Sequence, residues 1–391
     1  VTTELENLLN MDIEKIMTLK PREIKKMTFS DDQIKSIVRT YYRIQDMRKV
    51  TFNQTRAFKE DARPHLLVNF IGEEMKHLED ICGSAMDAYS GSKKIGMWAR
   101  SIHGIGPKIA SGLMSYIDIA QCPVVSHIWR YAGLDPTMQW LNKAQAEAIY
   151  EEVVGKRGIA TQEQLAEMSI KCNRNPLLFV KQMTDLYSFD EEGNKIAIKP
   201  TRERQLNVMV LRPWNAELKT LCWKIGESFT KVSGNPDAFY GKILAIRKAY
   251  ETDKNEKGEY AEAAKRQLEK FNIQNKEVRE TYESGKLTPG HIFARSKRYA
   301  VKIFLSHYHA VAYELYFGEK PPKPFAIEHL GHAHEIMIPN WPMTDEGETF
   351  NEMSVQEYVG LFKGLRRETT EFMGKVIELF KKKEKKVKKT D

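Results

Sequence analysis

The sequence predicts a mainly α, multi-helix protein. Apolar residues recur at spacings of three and four along most of the 391 residues. Period-two alternation, the mark of a half-buried strand, is scarce. Residue types that start and stop helices bracket the periodic stretches: Ser30-Asp-Asp before one, Pro107 at the head of another, Gly133 and Pro136 behind a third.

Residues 1–95 read as an N-terminal helical region. Ser30 or Asp31 caps a helix carrying Ile34, Ile37, Val38, Tyr41, Tyr42 and Ile44. Leu66, Leu67, Phe70, Ile71, Met75, Leu78, Ile81 and Met86 define a second, long amphipathic helix. Residues 96–140 form a core in which two helices meet at Gly104-Ile-Gly106. A short helix from Ser126 follows, closed by Gly133. Residues 141–200 are a polar helix and linker insert, rich in Ala, Glu and Gln up to 171. Asn-Arg-Asn-Pro and Glu-Glu-Gly-Asn then mark 173–200 as a linker or partly irregular.

Residues 201–345 read as a second helical region. Trp214, Leu218, Leu221, Cys222, Ile225 and Phe229 mark its buried stripe. The highly charged stretch 249–285 is expected to be an exposed, inserted helical arm. A strong helix runs from His291 to Phe317, Pro321-Pro-Lys-Pro ends it, and 326–345 are irregular. Residues 346–391 hold a C-terminal helix through Val355 to Phe380 and a solvated basic tail, Lys381 to Lys389.

Composition narrows the function classes. A net charge of +8 and a pI near 9.0 favour a polyanionic partner. The four cysteines, Cys82, Cys122, Cys172 and Cys222, lie far apart with no CxxC pair. They argue against a disulfide framework or a cysteine zinc site and imply a reducing, cytoplasmic compartment. For a phage-encoded chain that is the host-cell cytoplasm. No apolar run reaches the roughly 18 residues of a membrane span, so no membrane partner is expected. Val1-Thr-Thr-Glu-Leu-Glu-Asn carries no secretory signal. Gly104-Ile-Gly-Pro-Lys108 lacks the gap of a nucleotide-hydrolase phosphate loop, and no Gly-x-Ser-x-Gly elbow occurs. No cofactor is implied.

The stretch Ser101-Ile-His-Gly-Ile-Gly-Pro-Lys-Ile-Ala110 carries the most specific signal. Gly104 and Gly106 open backbone conformations closed to other residues and let another backbone approach. Ile105 would point into the core, and Ala110 is small enough for helices to pack. Pro107 suits a first helical residue, and Lys108 lies beside the free N–H groups of a helix start, an anion site. The spacing Ile102-x-Gly-Ile-Gly-x-x-x-Ala110 resembles the helix-hairpin-helix motif of many DNA-binding proteins. That resemblance implies hairpin amides that hold a DNA phosphate without reading bases.

The similarity extends over residues 98–136. Trp98-Ala-Arg-Ser-Ile-His-Gly-Ile-Gly-Pro, then Ala110, then Trp129-Arg-Tyr-Ala-Gly-Leu-Asp-Pro136 resembles the C-terminal domain of bridge-RNA-guided insertion-sequence transposases. Ser284-Gly-Lys-Leu-Thr-Pro-Gly-His-Ile and the segment Arg295 to Lys302 are similar to that domain's later Gly- and Arg-rich part. The family's N-terminal nuclease-like domain, with four carboxylates after strands, has no counterpart in residues 1–95. Asp12, Asp31, Asp46, Asp61 and Asp80 fall in helices or turns. A C-terminal serine is the family's nucleophile. Ser284 is the nearest match and Ser296 another, but neither completes a catalytic set. A second likeness, to helix-hairpin-helix DNA glycosylases, rests on Val124-Val-Ser-His-Ile128, where Val125 stands in place of the catalytic Asp.

Arg295, Arg298 and Lys302 recur at helical spacing near Tyr299 and form a basic face suited to phosphate. Arg202, Arg204, Arg212, Lys219 and Lys224 make a looser basic set around Trp214 and Trp223, which are expected in the core. His307, His309, His329, His332 and His334, with Glu328 and Glu335, are suggestive of metal but match no zinc signature. No metal site is assigned, and whether these histidines bind one stays open.

The leading expectation is a largely sequence-tolerant DNA-binding protein of transposase-like type, in recombination, replication or mobile-element and phage DNA metabolism. Its contacts would be Gly104, Ile105, Gly106, Lys108, Arg295, Arg298 and Lys302. RNA is the other candidate polymer, and homo-oligomer formation stays open. The alternative is a DNA-acting enzyme, for strand transfer or base modification on a glycosylase-like scaffold.

Overall fold

The computed structural model describes residues 20–57, 66–322 and 338–343. Of these, 68% are helical and 2% lie in strands, so the chain is mainly α. They divide into two compact units, Val1–Val125 with Leu221–Asp391, and the insertion Ser126–Thr220.

The first unit begins with α1 (Pro21–Ile24) and a helical hairpin, α2 (Asp31–Ala57) and α3 (Leu66–Ser92). Ile34, Val38 and Tyr41 are buried on α2 as their periodicity predicts. On α3 the pattern misleads, because Leu67, Phe70, Ile71 and Leu78 remain exposed. The buried face of α3 carries Gly72, Glu79 and Met86 instead. Glu79 turns inward because α2 satisfies it. Arg48 Nε donates at 2.6 Å, Gln45 at 2.9 Å and the Tyr41 hydroxyl at 3.0 Å. Burial pushes the Glu79 carboxyl up, but those hydrogen bonds and the Arg48 charge outweigh it and hold it below the usual range.

Helix α4 (Lys94–Ser101) leaves α3 at a tight junction, and α5 (Pro107–Tyr116) packs back on α2 and α3. The buried Ser111 hydroxyl donates to Met86 O at 2.7 Å. After the insertion come α11 (Ala216–Val232), α12 (Phe239–Glu256), α13 (Ala261–Lys270), α14 (Lys276–Glu283) and α15 (Pro289–Phe317). Trp98 of α4, Phe229 of α11, Tyr240 of α12 and Phe304 of α15 form an aromatic core. Trp98 stacks on Phe304 with centroids 6.0 Å apart, and Phe229 on Tyr240 at 5.1 Å.

The stretch 249–285 is not an exposed arm throughout. Glu251 keeps 1% of its surface, and Asn255, Ala264 and Tyr282 are buried too. Asn255 donates to Leu287 O at 2.9 Å and accepts from Leu287 N at 2.8 Å. Charge patterning reads as solvation, and internal pairing of those charges is what overrides it here. Trp223, expected in the core, is 61% exposed on α11.

The insertion contains most of α6 (Val125–Tyr131), then α7 (Lys143–Val154), α8 (Gln162–Lys171), α9 (Pro176–Thr184), strands β1 (Tyr187–Phe189) and β2 (Lys195–Ala197), and α10 (Arg202–Met209). Leu141, Tyr150, Leu165, Met168, Phe179 and Met209 are core residues of this unit. Residues 173–200, expected as a linker or partly irregular insert, contain a helix and a two-stranded antiparallel hairpin, Tyr187 opposite Ala197. Asn175-Pro176, read as a break, is a helix start: the Asn175 side chain accepts from Leu178 N, and proline occupies the first turn. Trp214 is half-buried, edge-on to Trp140 at 6.4 Å.

Candidate nucleic-acid interface

Helix α4 stops at Ser101 and the chain turns through residues 102–106 into α5. Ile102 and Ile105 are both 3% exposed and anchor the turn, and Ile105 N donates to Ile102 O at 2.9 Å. Gly104 adopts φ +98°, a region L side chains rarely enter. Its carbonyl accepts from Ser228 Oγ of α11, which ties the turn to that helix. Gly106 caps α5 with ordinary extended angles, φ −93° and ψ 177°. A Cβ built there meets no atom of the described residues within 4 Å, so their packing does not require glycine at 106.

The amides of Ile109 and Ala110 donate to Gly106 O at 3.1 and 3.0 Å. Those of Gly106 and Lys108 have no acceptor among the described residues. They stand at the positive end of a ten-residue helix. Residues 100–106 line an open groove of about 430 Å³. Arg100 beside it pairs with Asp87 at 2.7 Å, and His103 is exposed. Asn340 steadies the α4 end by donating to the Ser101 carbonyl at 3.1 Å and to its hydroxyl at 3.0 Å.

Gly104, Ile105, Gly106 and Lys108 thus form one local feature. The Lys108 ammonium does not stand alone beside the helix start. Its Nζ lies 4.7 Å from the ring centre of Tyr41 on α2. The basic set on α15 is built differently. Arg295 Nε donates to Glu251 at 2.8 Å and its guanidinium lies 4.6 Å from the Tyr260 ring, so its charge is engaged inside the unit. Arg298 is exposed and Lys302 half-buried. Tyr299 lies under Arg247, at 4.4 Å.

The other candidates sort by burial. His307 Nδ1 is 2.7 Å from the Tyr240 hydroxyl and His309 Nε2 is 2.8 Å from Cys122 O, both buried. Among the described residues no three His, Cys, Asp or Glu converge as a metal site. His329, His332, His334, Glu328 and Glu335 lie outside those residues, as do the stretches 355–380, expected as a helix, and 381–389, expected as a solvated tail. Ser296 is fully buried and donates to Ile292 O, while Ser284 donates to Thr281 O. Val125 is buried. No described helix is long and apolar enough to cross a membrane.

Sequence reasoning missed Arg100 and His103 in the groove and the tyrosines of α2. None forms a local pattern, and only the adjacent Tyr41-Tyr42 pair was available as a signal. No known protein family, curated protein or solved structure matches this chain.

Proposed function

We propose that the chain is a nucleic-acid-binding protein, largely blind to sequence, that holds a DNA backbone at the Gly104-Ile-Gly106 turn. In this reading it is transposase-like in type and serves recombination, replication or mobile-element DNA metabolism. The observation that carries it is Gly106. Neither its backbone angles nor its described surroundings call for glycine, and two amides at this helix N-terminus have no acceptor among the described residues. A phosphate oxygen satisfies such donors without reference to base identity. The open groove beside them and the +8 net charge support a polyanionic ligand.

The test is a gel-shift titration with duplex DNA of arbitrary sequence, comparing wild type, Gly106→Asp and Lys108→Glu. A carboxylate at 106 meets the phosphate with like charge, so binding is expected to weaken by about tenfold or more. The melting temperature of Gly106→Asp should stay near that of the wild type, because the space at that position is open. Wild-type affinity in both variants sinks the turn as the contact.

A further inference from the structure

A second feature lies beside the turn, on the face of α2. Tyr41 and Tyr42 meet edge to face with ring centres 5.1 Å apart. Lys108 Nζ of α5 lies 4.7 Å from the Tyr41 ring centre, and Lys224 Nζ of α11 lies 3.5 Å from that of Tyr42. Two ammonium groups from distant parts of the chain therefore sit on adjacent aromatic rings. Such contacts stabilise a cation without neutralising it.

The local acids do not balance this charge. Glu79 is taken by Arg48, Gln45 and Tyr41. Asp46 faces Lys49 at 3.5 Å. Neither Lys108 nor Lys224 has a carboxylate within ion-pair distance among the described residues. Burial and the nearby Lys49 charge both push the Lys224 ammonium below its ordinary pKa, with Asp46 and Glu79 opposing. An added anion would relieve that repulsion. Lys224 also lies four residues before Ser228, the residue that holds Gly104 O, and so shares its face of α11 about 6 Å along the axis.

We propose that the outer, Tyr42 side of this pair, where Lys224 is half-buried and Lys49 exposed, is a second phosphate site with Lys224 and Lys49 as its cations. It takes a phosphate neighbouring the one at the Gly104–Gly106 turn on the same nucleic acid. Lys108 links the two, with its amide in the first turn of α5 and its ammonium against the Tyr41 ring. The inference rests on the reading of the turn as a backbone contact.

The test measures binding of a labelled duplex oligonucleotide across a salt series, for wild type, Gly106→Asp, Lys224→Gln, Lys224→Arg and Lys49→Gln. For every phosphate that the protein no longer neutralises, the slope of log affinity against log salt becomes shallower by about 0.9. Lys224→Gln and Lys49→Gln are expected to show that change, and Lys224→Arg to keep the wild-type slope. A purely structural lysine lowers the melting temperature without moving the slope. If Gly106→Asp weakens binding while both glutamine variants keep the wild-type slope, the second site is overturned and the turn stands. Lys49 is exposed, so its variant gives an answer even if Lys224→Gln fails to fold. If wild type binds no oligonucleotide, the turn and the second site fall together.

Discussion

Gly96→Ala is expected to lower folding stability by about 3 kcal/mol, the upper part of the range for overpacking a close-packed core. A Cβ at residue 96 would lie 2.1 Å from Ser90 O and 2.9 Å from both Ser90 C and Cα. These are backbone atoms of a buried residue, so no side-chain rotation relieves the clash. The α3–α4 junction would have to open, and α4 carries Trp98, stacked on Phe304 and donating to Pro339 O at 2.9 Å. Gly106→Ala should cost less than about 1 kcal/mol, the ordinary difference between glycine and alanine at a helix cap. Urea denaturation of the two variants checks the contrast. A wild-type midpoint for Gly96→Ala would show that the junction yields freely. A large loss for Gly106→Ala would give that glycine a folding role and remove the argument that it is kept for a ligand.

Glu251→Ala is expected to cost about 3 kcal/mol, the lower part of the range for breaking a buried ion pair. The carboxylate is 1% exposed and accepts from Arg247 Nε at 2.7 Å, Arg295 Nε at 2.8 Å and the Tyr260 hydroxyl at 2.5 Å. Its loss strands two arginines. Their side chains keep 28% and 32% exposure, so water recovers part of the deficit. Burial pulls the Glu251 pKa up, but the Tyr260 and Arg295 hydrogen bonds and the Arg247 charge outweigh it and leave it lowered. A lowered native pKa means the stabilisation is complete above the unfolded value of about 4.3. It is lost as pH falls through the native value. Wild type should therefore lose stability in acid more steeply than Glu251→Gln. Parallel pH curves for the two would show that Glu251 titrates alike in both states.

The turn at 102–107 was legible in the sequence because everything that makes it is local. Gly104 supplies the positive φ, Pro107 opens α5, and Ile102 and Ile105 anchor the turn within a few residues of chain. The Tyr41–Tyr42 face was not legible, since its cations come from α2, α5 and α11. Glu251 was hidden for a related reason. A charged residue in a charged stretch reads as surface unless its partners, here Arg295 and Tyr260, are known to fold back on it. On α3 the error ran the other way. Phe70 and Leu78 have the right spacing for a buried face, but Glu79 wins the interior through its three donors on α2. The start of α9 was misread because Asn-Pro marks either a break or a cap, and only the Asn175–Leu178 hydrogen bond decides between them.

The hydrogen bonds from Trp98 to Pro339 and from Asn340 to Ser101 span 241 and 239 residues of sequence. During synthesis the first cannot close until residue 339, nor the second until residue 340, has left the ribosome. The groove at 100–106 is thus encoded early and finished late. A nascent or truncated chain ending before Ile338 carries every residue of the turn but lacks the clasp that holds the end of α4.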